Sequence, residues 1–195
     1  PENVKVAIDS ILNQTLQPNQ FVIMVDGKIP SKLEKMLDEV CEKNNIIELS
    51  AIKIRDNKIT DTFTELINPN ERINSYITNL TGITNSMVEN ADTLEHILPK
   101  YMNFIADDIV LGHNVKFDIR FISKNLEKLF NNRFKNESMD TMKLSRRYCT
   151  DITSHKLSNL ANYFNIDSKG HHRGLKDCEM TYYVYEGIKN KYINK

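Results

Sequence analysis

At 195 residues with 40% hydrophobic content, the chain suits one domain with a core of its own, or one domain plus an appendage. Its 26 basic and 26 acidic residues cancel, so net charge gives no general attraction to a polyanion and leaves that task to a local basic groove. No apolar run approaches the ~18 residues of a membrane span, so no membrane is expected. No leader pattern is present, although Pro1 in place of Met leaves room for a lost upstream part. Cys41, Cys149 and Cys178 show no C-x-x-C spacing, which points to reduced thiols in a cytoplasmic protein rather than to disulfides or zinc.

Val4, Ala7, Ile8, Ile11 and Leu12 recur at helical spacing, so residues 3–16 read as an amphipathic helix stopped by Pro18. The apolar run Phe21 to Val25 reads as a strand over 21–26. Ser31 and Glu34 make a capping box that opens a second helix over 31–44. Residues 46–55 and 58–67 then form two strands of a hairpin turned at Asp56-Asn57. Short helices follow at 73–80 and 84–90. Leu94, Ile97, Leu98, Tyr101, Met102 and Ile105 form a longer helical stripe, and Pro99 either kinks it or starts its main part. Residues 108–112 are a buried strand. Helices are expected from about 114, over 140–149 and 156–165, and from 173 to 190. A strand at 21–26, a helix and a strand at 46–54 make a βαβ pattern, which favours parallel pairing of the two strands. Residues 1–45 are therefore expected to pack poorly or to enter the sheet in an altered direction.

Two segments carry chemistry. His113-Asn-Val-Lys-Phe-Asp118 follows the buried strand, and His172-Arg-Gly-Leu-Lys-Asp177 opens the last helix. Asp118 and Asp177 each fall in a helical first turn, at the border of an apolar stripe. An acid there gains from the helix dipole. A carboxylate held against a core also needs cationic compensation. A divalent ion would supply it, and so would Lys116, Arg120 or Arg173. His172 stands five residues before Asp177, a spacing that lets an imidazole on the loop take a proton from a metal-bound water. His171 is its near-duplicate, and spacing alone leaves both open. His113-Asn114 at a strand end is either a turn cap or a phosphate or ribose contact. His96 and His155 read as structural or solvent-exposed.

Six segments in order carry a resemblance: residues 46–54, Leu80-Thr-Gly-Ile-Thr84, 113–122, Met139-Asp-Thr-Met142, Lys156-Leu-Ser-Asn-Leu160 and His172–Asp177. In this order they resemble the DEDDh 3′–5′ exonucleases, the family of the proofreading exonucleases of replicative polymerases. The resemblance implies an α/β fold, a ribonuclease-H-like mixed sheet flanked by helices, over 46–195. It implies two Mg²⁺ or Mn²⁺ ions, a single-stranded DNA or RNA 3′ end as substrate, and a DNA polymerase as partner. It makes Asp118 and Asp177 metal ligands, His172 the general base, and His113, Asn114 and Phe117 substrate contacts. Gly174 stands where the family usually has alanine.

The family's opening strand ends in Asp-x-Glu, whose two acids bind metal. Here Asp26 is the one positional candidate, and Lys28 stands where the glutamate belongs. Residues 1–45 instead resemble an N-terminal fragment of a family 2 glycosyltransferase, a foreign helix–strand–helix segment. The expected function is thus 3′–5′ exonuclease-like two-metal hydrolysis, impaired by loss of the first acidic motif. The alternatives are an inactive nucleic-acid-binding or polymerase-associated module and, more remotely, a glycosyltransferase fragment.

Overall fold

The computed structural model describes residues 20–24, 45–169 and 173–194. The helices expected over 3–16 and 31–44 lie outside the described residues. Five strands form one mixed sheet: β1 (Gln20–Met24), β2 (Glu48–Arg55), β3 (Lys58–Leu66), β4 (Ile109–Gly112) and β5 (Ser138–Asp140), in the order β3-β2-β1-β4-β5.

β1 lies in the middle. It runs antiparallel to β2, with Met24 opposite Ser50, and parallel to β4, with Val22 opposite Leu111. This corrects the expectation drawn from the βαβ pattern. The strand enters the sheet, and it does so antiparallel to β2. A connection of more than 20 residues, 25–47, can return the chain in either direction, so a helix predicted within it does not dictate the pairing.

The β2–β3 hairpin forms as the sequence indicates. Asp56 and Asn57 both adopt left-handed backbone, at φ 51° and 58°. That pair of values suits the right-handed twist of the flanking strands. β2 is buried on both faces over residues 48–52, whereas β3 is mostly exposed and carries Lys58, Asp61 and Glu65. Charged side chains on an outer strand discourage pairing with another chain.

Seven α-helices are described: α1 (Ser75–Thr81), α2 (Asn85–Val88), α3 (Leu94–Ile105), α4 (Val115–Phe130), α5 (Thr141–Tyr148), α6 (Leu157–Tyr163) and α7 (Gly174–Ile188). A π-helical turn, Lys189–Ile193, continues α7. Leu80-Thr-Gly-Ile-Thr84 proves to be a helix terminator. Gly82 takes φ 74° and its N–H donates to Thr78 O, while the Thr81 hydroxyl donates to Ile77 O and accepts from Ile83 N. Pro99 is accommodated inside α3.

The sheet divides the core in two. Leu49, Ala51 and Val110 face α3 and α4, with Ile97, Leu98, Tyr101, Ile105, Phe121 and Ile122. Ile52, Ile54 and Leu111 belong to the other cluster, with α5, α6 and α7. Strand alternation sends successive side chains to opposite faces, so Glu48 and Ser50 share the α7 side with Ile52.

Candidate active site

β1, β4 and β5 run parallel, so their C-terminal ends lie at one edge of the sheet. Antiparallel β2 begins at that edge with Glu48. In open α/β sheets the crevice beyond the carboxyl ends of the strands is where ligands sit. The starts of α4 and α5 lie directly after β4 and β5, and the start of α7 reaches the same edge through Glu48.

The turn from β4 into α4 is tightly determined. A Cβ on Gly112 would stand 2.6 Å from Val115 Cγ2, so no larger residue fits there. Asn114 adopts φ 65°, a left-handed conformation that asparagine tolerates better than most residues. Its N–H donates to Asp140 Oδ1 at 3.0 Å. The same carboxylate caps α5, accepting from Met142 N at 2.9 Å and Lys143 N at 3.4 Å. Next to it, the Thr141 hydroxyl donates to Gly112 O at 3.2 Å and lies 2.9 Å from His113 Nδ1. Residues 112, 113 and 114 are thus each latched to the Asp140-Thr141 pair. The latch sets the direction of α4 and so places Asp118, 3% exposed in its first turn.

His113 is largely enclosed by this arrangement. Burial lowers its pKa to about 4, against the opposing charges of Asp140 and Asp177 and with help from Arg146. The imidazole is neutral near pH 7. Its Nε2 is buried without a hydrogen-bond partner among the described residues. The ring proposed as a substrate contact is therefore turned into the protein, while Asn114 beside it is exposed. Phe117, the third expected substrate contact, is also turned inward. It is 8% exposed and packs edge-on against Phe121, with ring centroids 5.0 Å apart, in the core under α4. Its place on the inward side of α4 gives its ring to the core.

α7 is set by a second carboxylate. Glu48, 3% exposed, accepts from Gly174 N through Oε2 at 3.0 Å and from Arg173 Nη2 through Oε1 at 3.3 Å. The bond to Gly174 satisfies one of the amides that a helix start leaves without an internal partner. A Cβ on Gly174 would lie 2.5 Å from Ser50 Oγ and 2.8 Å from Ser50 Cβ. Ser50 thus fills the space an alanine methyl would take. Asp177 follows in the first turn, 1% exposed, its N–H bonded to Arg173 O at 3.0 Å. The Tyr101 hydroxyl is buried without a hydrogen-bond partner among the described residues. Burial pushes its pKa well up, and Cys178 of α7 and Asp118 of α4 push it further.

Asp118 and Asp177 are the buried acids brought to this edge from separate helices. Oxygen donors suit a hard divalent cation, and carboxylates this deeply buried need cationic compensation, so the pair fits such an ion in kind. Among the described residues no group of three or more His, Cys, Asp or Glu is close enough to hold a metal. Asp26, His171 and His172 lie outside the described residues. Asp140 and Glu48, which position the starts of the helices that carry Asp118 and Asp177, were not assigned from the sequence. Only Asp140, directly before a helix, carried a signal, that of an N-cap.

The RNase_T family model, described as "Exonuclease", matches residues 24–185. The chain belongs to this exonuclease family. It is 36% identical over 144 residues to DNA polymerase III subunit epsilon of Aquifex aeolicus, covering 74% of this chain and 71% of that one. It is 39% identical over 142 residues to the PolC-type DNA polymerase III of Caldanaerobacter subterraneus, covering 73% of this chain. The chain spans about a tenth of the length of that relative, 10%. Among solved structures, the nuclease domain of 3′hExo, a DEDDh family member bound to rAMP, superposes with a TM-score of 0.69 at 18% identity, over 90% of this chain and 94% of that one. Exonuclease X in complex with 5′ overhanging duplex DNA gives 0.67 at 22% identity, over 88% and 91%. The fold is accordingly the ribonuclease-H-like one of these exonuclease domains. The exonuclease match begins at Met24, the last residue of β1, and so spans Asp26 and Lys28.

Proposed function

We propose that this domain removes nucleotides from the 3′ end of single-stranded DNA or RNA, at a rate reduced by loss of the first acidic motif. The observation that carries the reading is the pair of buried carboxylates, Asp118 and Asp177, in the first turns of two helices at one sheet edge. With Asp26 they would hold Mg²⁺ or Mn²⁺, which when bound lowers the pKa of water and screens charge on the phosphate. His172 takes the proton from the attacking water at its imidazole. The water oxygen bonds to phosphorus as the bond to the 3′ oxygen of the penultimate nucleotide breaks, releasing a nucleoside 5′-monophosphate. Lys28, in place of the second acid, puts a positive charge where a ligand is expected and weakens metal affinity.

Kinship with the epsilon subunit and PolC supports a DNA polymerase as partner and a cytoplasmic setting. No helix among the described residues is long and apolar enough to cross a membrane. The division of the chain at 45/46, with a glycosyltransferase-like segment before it, remains part of the proposal. That no group of three or more His, Cys, Asp or Glu among the described residues stands close enough to hold a metal favours a second reading, a nucleic-acid-binding module without turnover.

Digestion of 5′-labelled single-stranded DNA with Mn²⁺ separates the readings, comparing the domain with its Asp118→Ala, Asp177→Ala double variant. Slow laddering from the 3′ end, abolished in the double variant and by chelation, is the expected result. Equal cleavage by both proteins removes Asp118 and Asp177 from the site. No cleavage by either leaves the binding module.

A further inference from the structure

We infer that Arg173 is a phosphate-binding residue for the nucleic-acid strand, with its guanidinium held in place from below by the buried Glu48. The inference rests on the exonuclease reading and adds to it a residue that metal chemistry does not use.

The placement comes from the backbone. Arg173 is the N-cap residue of α7, and its carbonyl accepts the Asp177 N–H at 3.0 Å. It therefore sits within the same helical turn as a candidate metal ligand, at the sheet edge where β2 begins. A phosphodiester brought toward Asp118 and Asp177 approaches two carboxylates and needs a cation beside them.

The side chain is suited to supply it. Arg173 Nη2 is 3.3 Å from Glu48 Oε1, while the Arg173 side chain remains 46% exposed and Glu48 3%. A guanidinium has five N–H donors in a rigid plane. Glu48 takes one of them, and no other described residue accepts from the rest. Glu48 cannot turn away easily, because its second oxygen holds the Gly174 N–H. The result is an arginine whose inner edge is fixed and whose outer edge faces solvent, a geometry suited to bidentate contact with phosphate. The other cation of this turn, Lys176, is already engaged by Asp167 at 3.7 Å and Glu179 at 3.6 Å.

The competing explanation is that Arg173 exists only to neutralise Glu48. The two differ in salt dependence. Each phosphate contact to a single strand contributes about 0.7 to the slope of log affinity against log salt. The experiment measures binding of a fluorescein-labelled oligothymidylate by anisotropy, without metal and with chelator so that the strand is not cut, from about 50 to about 200 mM salt.

Arg173→Gln is expected to bind several-fold more weakly at low salt, with a slope smaller by about 0.7. Arg173→Lys should keep the slope. The Glu48→Gln, Arg173→Gln double variant removes both charges, and it keeps the question open to test if Arg173→Gln alone fails to fold. On this proposal the double variant stays weak with the reduced slope. Recovery of wild-type binding and slope in the double variant, or an unchanged slope in folded Arg173→Gln, overturns it. A wild-type protein that binds no single strand overturns the proposed function and this inference together, whereas wild-type binding with an unchanged slope in the variants overturns only the role of Arg173.

Discussion

Replacing Gly174 by alanine, the residue common at this position in the family, should destabilise this chain. Helix propensity alone predicts a gain of up to about 1 kcal/mol. Packing opposes it. The new methyl would sit 2.5 Å from Ser50 Oγ, 2.8 Å from Ser50 Cβ and 3.4 Å from Glu48 Cδ. Carbon contacts are comfortable at about 3.5–4.0 Å. Ser50 cannot yield cheaply. Its Cβ is fixed by a strand paired on both sides, and its hydroxyl bonds Thr64 Oγ1 at 2.8 Å. Inserting a methyl into such a site costs about 1–3 kcal/mol, which leaves a net loss of about 1–2 kcal/mol. The assay is a double-mutant cycle by urea unfolding over wild type, Gly174→Ala, Ser50→Gly and the double variant. Ser50→Gly removes both clashing atoms, so the alanine should be tolerated in that background, with a coupling of about 1–2 kcal/mol. A Gly174→Ala protein as stable as wild type, or strictly additive effects, would refute the reasoning.

Asp140→Ala should lose about 2–3 kcal/mol in urea unfolding, because one carboxylate serves the α5 cap and the Asn114 amide together. Asp140→Asn keeps an oxygen acceptor and should lose less than half of that, and an equal loss in both variants would remove the latch. His113 predicts the pH dependence of stability. Its folded pKa, about 4, lies below the unfolded 6.5, so the unfolded chain binds the extra proton first. The stabilising difference is fully present above about pH 6.5 and is lost as pH falls toward 4, by at most about 3 kcal/mol. A His113→Gln protein should show a flatter profile across that window, and an identical slope in both proteins would contradict the assignment.

Much of the fold was legible because its signals are local. The hairpin turn at Asp56-Asn57, the stripe of α3 and the paired first-turn acids all follow from spacing within a few residues. β5 was not legible. Three residues, Ser138–Asp140, are too few for a period, and the segment reads as a helix start. The direction of β1 was misjudged because its parallel neighbour, β4, comes far later in the chain. The site divides in the same way. Asp118 and Asp177 announce themselves at the edge of apolar faces. Glu48 carries no such signal, because its partners, Arg173 and Gly174, lie 125 and 126 residues away. A contact of that separation leaves no periodic trace.

The central place of β1 has a consequence for the order of folding. Its parallel partner begins at Ile109, 89 positions after Gln20, whereas the β2–β3 hairpin closes through a two-residue turn. Pairings between distant segments form slowly, because the loop must close before the contact rewards it. At translation rates of about 5–20 residues per second, a nascent chain would carry β1 for roughly 5–20 seconds before β4 exists. Until then one side of the β1 ladder is open, and the amides and carbonyls that later meet Ile109, Val110 and Leu111 are available to other strands. The residues that complete the sheet from the C-terminal half thus also end the period in which the newly made chain is most exposed to aggregation.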